Sequence, residues 1–411
     1  MKSSPFALAA LIAWSSISSA DAADGLLSLD SARALALDKQ PSLQALELGA
    51  RAAEEGAAAE GELPDPRLKF GALNLPTRNF PRGREDMTQF GMSYEQTVPG
   101  GDKRQLRVER GRAEAAQLRA ELAGQREVIR RDVAIAWLAA WGAAQAERML
   151  QGLQAEFRQA IDAATVAVGT GRGTQAEIFA ARGLLNQSGD RLLELKAQGE
   201  RARADLGRWI GEASHGALPE APPAWPAPVP LGELVASLDA HPQHSSMLAA
   251  ESTADTDVAL AREYGRSDRS WEVGYYVREG QNRSDMLMFQ LAFELPRQAR
   301  QDRLLESRLK QRDRVREQRN DHLRQLRAEL ETGYSEWLRT GERLANFDAR
   351  ILPDTRSRIE AVLAAYQGGR TELTMVLEAR RSYTEARLQR LTLEVTRAKA
   401  RAGLEYFEHA H

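Results

Sequence analysis

The chain has 411 residues, 28% of them charged and 43% hydrophobic, with a formal net charge of −2. That length suits two ordinary domains, and the balanced charge lacks the basic excess by which nucleic-acid binding usually shows, so no nucleic-acid partner is expected. Cysteine is absent, which excludes disulfides, cysteine metal sites and a lipid-modified cysteine.

Lys2 gives a positive start, residues 6–14 form a short apolar core, and Ala20-Asp21-Ala22 has the small-x-small form of a cleavage site. Residues 1–22 therefore read as a signal peptide, cut after Ala22 or Ala23. No later run reaches the roughly 20 apolar residues that a membrane-spanning helix needs. Residues 28–61 are rich in Ala and Leu with Glu interspersed, which predicts one helix capped by Asp30 or Ser31. Leu63-Pro64-Asp65-Pro66 then breaks it.

Strand signals follow. Leu68, Phe70 and Ala72 alternate with Lys69 and Gly71, and Phe90, Met92 and Tyr94 alternate with Gly91, Ser93 and Glu95. Period-two alternation indicates strands with one apolar face. Residues 74–85 between them read as a hairpin loop. From about 102 to 167 Pro is absent and Ala, Leu, Arg, Glu and Gln abound, so a helix of about 65 residues and roughly 95 Å is predicted. Leu122, Ile129, Ala136, Ala143, Leu150 and Phe157 fall seven apart, as in a coiled coil. The Gly-rich turn 169–173 ends it, a second helix of about 40 residues follows, and residues 217–230 form a Pro-rich connector.

The rest of the chain repeats this order. Residues 36–41 return at 237–242, Met87 to Phe90 at Met286 to Phe289, Trp137-Leu138 at Trp337-Leu338, and Gly171-Arg172 at Gly369-Arg370. The offset stays near about 200 residues, too long for a solenoid unit. Trp271, Val273, Tyr275 and Val277 share one strand face, and Leu287, Phe289, Leu291 and Phe293 another. A second long helix, about 298 to 365, carries Leu323, Leu330, Trp337, Leu344 and Ile351 at heptad spacing, with Pro353 as its one interior breaker. Residues 23–216 thus read as a first structural repeat and 231–411 as a second, each a strand hairpin plus a helical hairpin.

Four strands cannot close a barrel, and an open apolar sheet is a liability. Within a membrane only closed barrels satisfy strand backbones. Pooling strands from three chains gives about twelve, inside the range of outer-membrane barrels. The expected fold class is mainly α with a membrane β part: long coiled-coil helical hairpins, and four strands contributed to a 12-stranded trimeric β-barrel. Trp271, Val273, Tyr275, Leu287, Phe289, Leu291 and Phe293 would face lipid, with Tyr276 a further interfacial aromatic.

With that order of elements on the page, the chain resembles the TolC family of outer-membrane efflux channels. Residues 36–42, Pro64-Asp65-Pro66-Arg67-Leu68, and Thr97-Val98-Pro99-Gly100-Gly101-Asp102-Lys103-Arg104 carry the resemblance. The last segment is similar to one in the CzcC-like branch that serves heavy-metal pumps, except that Asp102 stands between Gly101 and Lys103. The resemblance implies a homotrimer in the outer membrane with its helices in the periplasm. Its partners would be a periplasmic adaptor (membrane fusion) protein and an inner-membrane pump of the RND type. The cargo implied is metal cations, and the channel itself does no chemistry.

The resemblance also places sites. The turns at Gly169, Gly171, Arg172, Gly368, Gly369 and Arg370 would be the tips that meet the adaptor, although tight helix connections explain the glycines equally well. Tyr366 and Glu378 would line the tunnel gate, where three copies of Glu378 form an anionic ring. Met375 stands where the family carries a further acidic residue. The plain alternative is a helix glutamate paired with Arg380 or Arg381. His241, His244, His409 and His411 are too few and scattered for a metal site, and Met87, Met92, Met286 and Met288 read as strand filler. No catalytic arrangement and no cofactor is expected. The alternatives are the duct of a type I secretion system, a drug efflux channel, or a periplasmic coiled-coil adaptor.

Overall fold

The computed structural model describes residues 25–38, 40–75, 87–171, 173–278 and 284–408. The expected signal peptide, Arg172, His409 and His411 lie outside the described residues.

The predicted single helix over 28–61 is two helices, α1 (Leu29–Asp38) and α2 (Pro41–Gly61). Pro41 is the cause. It lacks an N–H and pushes the preceding residue out of the helical region, and Gln40 is extended at φ −74°, ψ 114°. The cap is neither Asp30 nor Ser31: the Ser28 hydroxyl accepts from the Ser31 amide at 3.1 Å.

Strands β1 (Arg67–Leu73) and β2 (Gln89–Val98) precede α3 (Lys103–Gly169) and α4 (Gln175–Ile210). The connector leads to α5 (Leu231–Ser237) and α6 (Pro242–Glu263). Strands β3 (Arg269–Val277) and β4 (Met286–Phe293) follow. The second long helix is α7 (Gln298–Asn346) continuing into α8 (Leu352–Gln367), and α9 (Leu373–Glu408) closes the described chain.

The two long helices differ. α3 runs 67 residues without a break, about 100 Å at 1.5 Å per residue. Its counterpart is interrupted by a π-turn at Phe347–Ile351. Pro353, in the first turn of α8, has no N–H to give and a ring that crowds the carbonyl four residues back. A widened turn relieves both problems.

α3 is the spine, with α1, α2, α4, α6 and α9 packed along it. Heptad positions Ile129, Leu150 and Phe157 are buried, while Leu122 and Ala143 are half-buried. In the second copy Leu330 and Leu344 are buried, but Leu323, Trp337 and Ile351 only half so. α8 buries no residue at all. The two ends of the chain are tied in. The Leu27 amide donates to the Ala217 carbonyl at 2.7 Å. Arg33 of α1 reaches both carboxylate oxygens of Glu405 in α9, at 3.2 and 2.6 Å.

The strands form one antiparallel sheet in the order β1-β2-β3-β4. The central pairing, β2 with β3, joins the two copies, with Glu95 opposite Glu272.

Candidate functional site

The sheet has two chemically opposite faces. Register places Leu68, Phe70 and Ala72 beside Tyr94, Met92 and Phe90. Those lie beside Val273, Tyr275 and Val277, and β3 in turn places Trp271, Val273 and Tyr275 beside Leu291, Phe289 and Leu287. Apart from Gln96 and Arg269 at one end, this face is apolar, and many of its side chains are exposed: Phe70 is 72% exposed, Phe289 66% and Leu287 76%. Every strand residue expected to face lipid lies on it, Phe293 opposite Arg269 included. The Tyr94 and Trp271 rings sit 5.6 Å apart on the same side, a cross-strand aromatic contact.

Tyr276 is on the other face, which corrects its expected place among the interfacial aromatics. Alternation sends Tyr275 and Tyr276 to opposite sides. The Tyr276 ring is buried over two glycines: a Cβ at Gly91 or Gly274 would meet it at 2.6 or 2.7 Å. Those glycines make room for the ring.

The same face carries a charge cluster that period-two reading missed. Glu95 and Glu272 are direct cross-strand neighbours, an arrangement that is unfavourable for like charges. The Lys69 ammonium bridges them at 2.8 and 2.9 Å, and the Ser93 hydroxyl donates to Glu272. All four residues stand at alternating polar positions, which was the available signal. Their meeting across three strands was not readable.

Where β2 passes into α3, Lys103 is buried. Its ammonium donates to the Arg266 carbonyl and to Asp268 Oδ1, both at 2.6 Å, and the Gly100 amide donates to the same oxygen at 2.7 Å. Burial opposes ionisation of Asp268, but these two donors outweigh it and hold its carboxyl below the usual range. Gly101 is left-handed at φ 63°, and a side chain at Gly100 would strike the Ser267 carbonyl. Segment 97–104 therefore locks strand to helix. Asp102, the departure from the family pattern, contributes its amide to Glu263 at 3.1 Å.

At the far end the helices turn back twice. In the first turn Gly171 is left-handed at φ 73°, and Thr174 and Glu177 form a capping box. In the second, Gly369 is left-handed at φ 68°. Its amide donates to the Tyr366 carbonyl, and that of Arg370 to the Ala365 carbonyl, each at 2.9 Å. This pair of bonds is a Schellman motif. Gly169 and Gly368 do not have positive φ. The two turns are linked: Glu177 accepts from the Thr174 amide at 3.1 Å through one oxygen and from the Leu373 amide at 3.3 Å through the other. Thr-x-x-Glu announced the cap; the second bond had no sequence signal.

Tyr366 is half-buried at the end of α8, and Glu378 is exposed on α9 with Met375 one turn before it. Arg380 pairs with Glu156 at 2.7 Å and Arg381 faces Glu385 at 3.6 Å. Neither neighbour neutralises Glu378.

Among the described residues no group of three or more His, Asp or Glu is arranged to hold a metal. His241 caps α6, accepting from the Gln243 amide at 3.3 Å, and its other ring nitrogen lies 3.2 Å from the Tyr406 carbonyl. Burial lowers its pKa to about 4, helped by His322, His244 and Arg131 and opposed by the Tyr406 carbonyl. Its role is structural. No described helix is long and apolar enough to cross a membrane.

Comparison with known proteins fits this geometry. The model of the family described as outer membrane efflux protein matches residues 32–212. No curated protein sequence matches. Among solved structures, a CusC channel is similar at 15% identity and TM-score 0.75, covering 93% of this chain and 92% of that one. VceC of Vibrio cholerae is similar at 16% identity and TM-score 0.77, covering 92% and 95%. The open MtrE channel of Neisseria gonorrhoeae is similar at 15% and 0.72, covering 92% and 88%. At such identities the likeness establishes the fold: this chain has the architecture of these outer-membrane channels, with β1 and β4 as the outer strands of its sheet.

Proposed function

We propose that the chain is one subunit of a homotrimeric outer-membrane efflux duct. The observation that carries this reading is the two-faced sheet. Its apolar face is largely exposed, its polar face holds the Lys69 cluster, and among the described residues β1 and β4 each have a neighbour on one side only. Three copies would pool twelve strands, turn the apolar faces to outer-membrane lipid and the polar faces to water, and leave no free edge. The helices, about 100 Å long, would extend the duct through the periplasm.

In this reading residues 1–22 are removed on export, and 23–216 and 231–411 are quasi-equivalent wall segments joined by 217–230. The turns around Gly169, Gly171 and Arg172, and around Gly368, Gly369 and Arg370, meet a periplasmic adaptor that docks an inner-membrane RND pump. Tyr366 and Glu378 line the entrance. Metal cations are the cargo, on the strength of the 97–104 segment and of Glu378, which no neighbouring arginine among the described residues pairs. A drug or type I secretion duct is the second reading, since it uses the same fold.

Expression of the full chain followed by membrane fractionation tests the proposal. A detergent-requiring trimer in the outer-membrane fraction is expected, and a soluble periplasmic monomer would refute it. Deleting the chain from a cell that relies on it should raise sensitivity to divalent metals more than to drugs.

A further inference from the structure

We propose that the two outer edges of the sheet carry matched charges that latch one copy of the chain to the next: Glu62, Asp65 and Arg67 at the β1 edge against Arg300, Arg297 and Glu294 at the β4 edge. The latch rests on the duct reading, in which copies join edge to edge, and names the residues that fix the join.

β1 and β4 are the outer strands of the sheet. Joining β1 of one copy to β4 of the next is a head-to-tail contact, so each copy supplies one half of it and the contact repeats around a ring. The direction follows from the sheet. Each strand is antiparallel to its neighbour, so β1 and β4 run opposite ways. β1 leaves the helical end of the molecule at Arg67 and β4 returns to it at Phe293. The register that sets Leu68 against Phe293, Phe70 against Leu291 and Ala72 against Phe289 keeps the apolar and polar faces continuous across the join. It also sets Arg67 against Glu294.

The charges then match in order. Toward the helices the β1 edge reads Arg67, Asp65, Glu62, and the β4 edge reads Glu294, Arg297, Arg300. Every position faces its opposite sign, an arrangement that favours this partner and this register over others. All six residues are exposed, and among the described residues none of their side chains makes an ion pair within its own copy. Leu63 and Leu295 lie in the same two segments, 42% and 84% exposed, and the join would cover them.

The seam inside the chain already uses this device. Where β2 meets β3, the basic residue that follows one strand, Lys103, pairs with the acidic residue that precedes the other, Asp268, at 2.6 Å. The outer edges repeat the order, with Arg297 following β4 and Asp65 preceding β1. The repeated halves thus carry one joining chemistry, used once within the chain and once between copies.

Two measurements on the full chain in detergent test the latch. The chain has no cysteine, so Arg67→Cys with Glu294→Cys introduces the only thiols. Within one copy β2 and β3 lie between these positions, about 14 Å across three strand spacings, too far for a disulfide. Mild oxidation should therefore give covalent dimers and trimers on denaturing gels. In the second measurement, Asp65→Arg or Arg297→Asp alone sets like charges across every join and should speed trimer dissociation about fivefold, the effect of one exposed ion pair. The two together restore opposite signs and should return the rate to within about twofold of wild type. A wild-type chain that is monomeric refutes the duct reading and the latch with it. A wild-type trimer overturns the latch alone if the cysteine pair stays uncrosslinked, if the single reversals dissociate as the wild type does, or if the double reversal is no slower than either single one.

Discussion

The carboxylate of Glu177 holds the amide of Leu373, 196 residues away, at 3.3 Å. Its other oxygen caps its own helix. One side chain therefore fixes the first turns of both returning helices, α4 and α9. Glu177→Ala is expected to weaken each start, at about 1 kcal/mol per lost cap. Hydrogen exchange should accelerate at Leu373 and the next few amides of α9 as well as in α4. Acceleration in α4 alone would mean that the cross-turn bond carries no weight.

The sheet faces predict opposite responses from adjacent residues. Phe289→Arg puts a charge on the apolar face and should destabilise the proposed membrane-inserted trimer by about 2–4 kcal/mol near the bilayer midplane. Gln290→Arg, on the polar face, should leave it nearly unchanged. Heat-induced dissociation on semi-native gels distinguishes the two.

Lys103→Met removes the buried partner of a partly exposed ion pair and leaves Asp268 with the Gly100 amide. A loss of about 1–3 kcal/mol is expected, measured by denaturant unfolding in detergent. Asp268 is held below the ordinary carboxylate pKa. The stability it contributes is present above that ordinary value and is lost only as pH falls through the lower folded value, below about 4. The Lys103→Met protein should therefore lack part of the wild-type acid transition in that range.

His241 acts in the same sense, within a higher pH window. Folded, it takes a proton only near about 4, whereas an unfolded histidine does so near about 6.5. Between those values the unfolded chain binds more protons, so stability falls as pH drops from about 7 to 4, by about 3 kcal/mol at most. His241→Asn keeps a capping side chain and removes the titration. Its melting temperature should fall less steeply between pH 7 and 4.5 than that of the wild type.

Glu378 tests the proposed entrance. Its side chain is exposed and neither Arg380 nor Arg381 neutralises it. In a trimer, Glu378→Ala should lower the preference for cations in single-channel recordings, seen as a reversal potential shifted toward zero across a salt gradient. An unchanged reversal potential would remove Glu378 from the conducting path.

What the sequence disclosed follows its periodicities. Alternation groups Trp271, Val273, Tyr275 and Phe289 on one apolar face, and the same alternation sends Tyr276 to the other. Heptads located Ile129, Leu150 and Phe157 in the core. Proline was underweighted twice, at Pro41, which splits a helix, and at Pro353, which goes with the π-turn. The bonds that joined distant segments were not readable: Lys69 to Glu272, Lys103 to Asp268, Glu177 to Leu373. Local pattern reports which way a side chain points, and says nothing of which remote strand or helix lies opposite.

The seam between β2 and β3 constrains the order of assembly. Residues that pair there, Phe90 with Val277 and Val98 with Arg269, are separated by more than 170 positions, so the first hairpin has no partner strand until about two-thirds of the chain has been made. A lone two-stranded hairpin is marginal in water, and closing so long a loop is slow. In the proposed exported duct the first hairpin would wait, its apolar side uncovered, for chaperones or for its own second half. A chain truncated after the connector should therefore fail to insert and should be cleared by periplasmic proteases, even though its helices could pair.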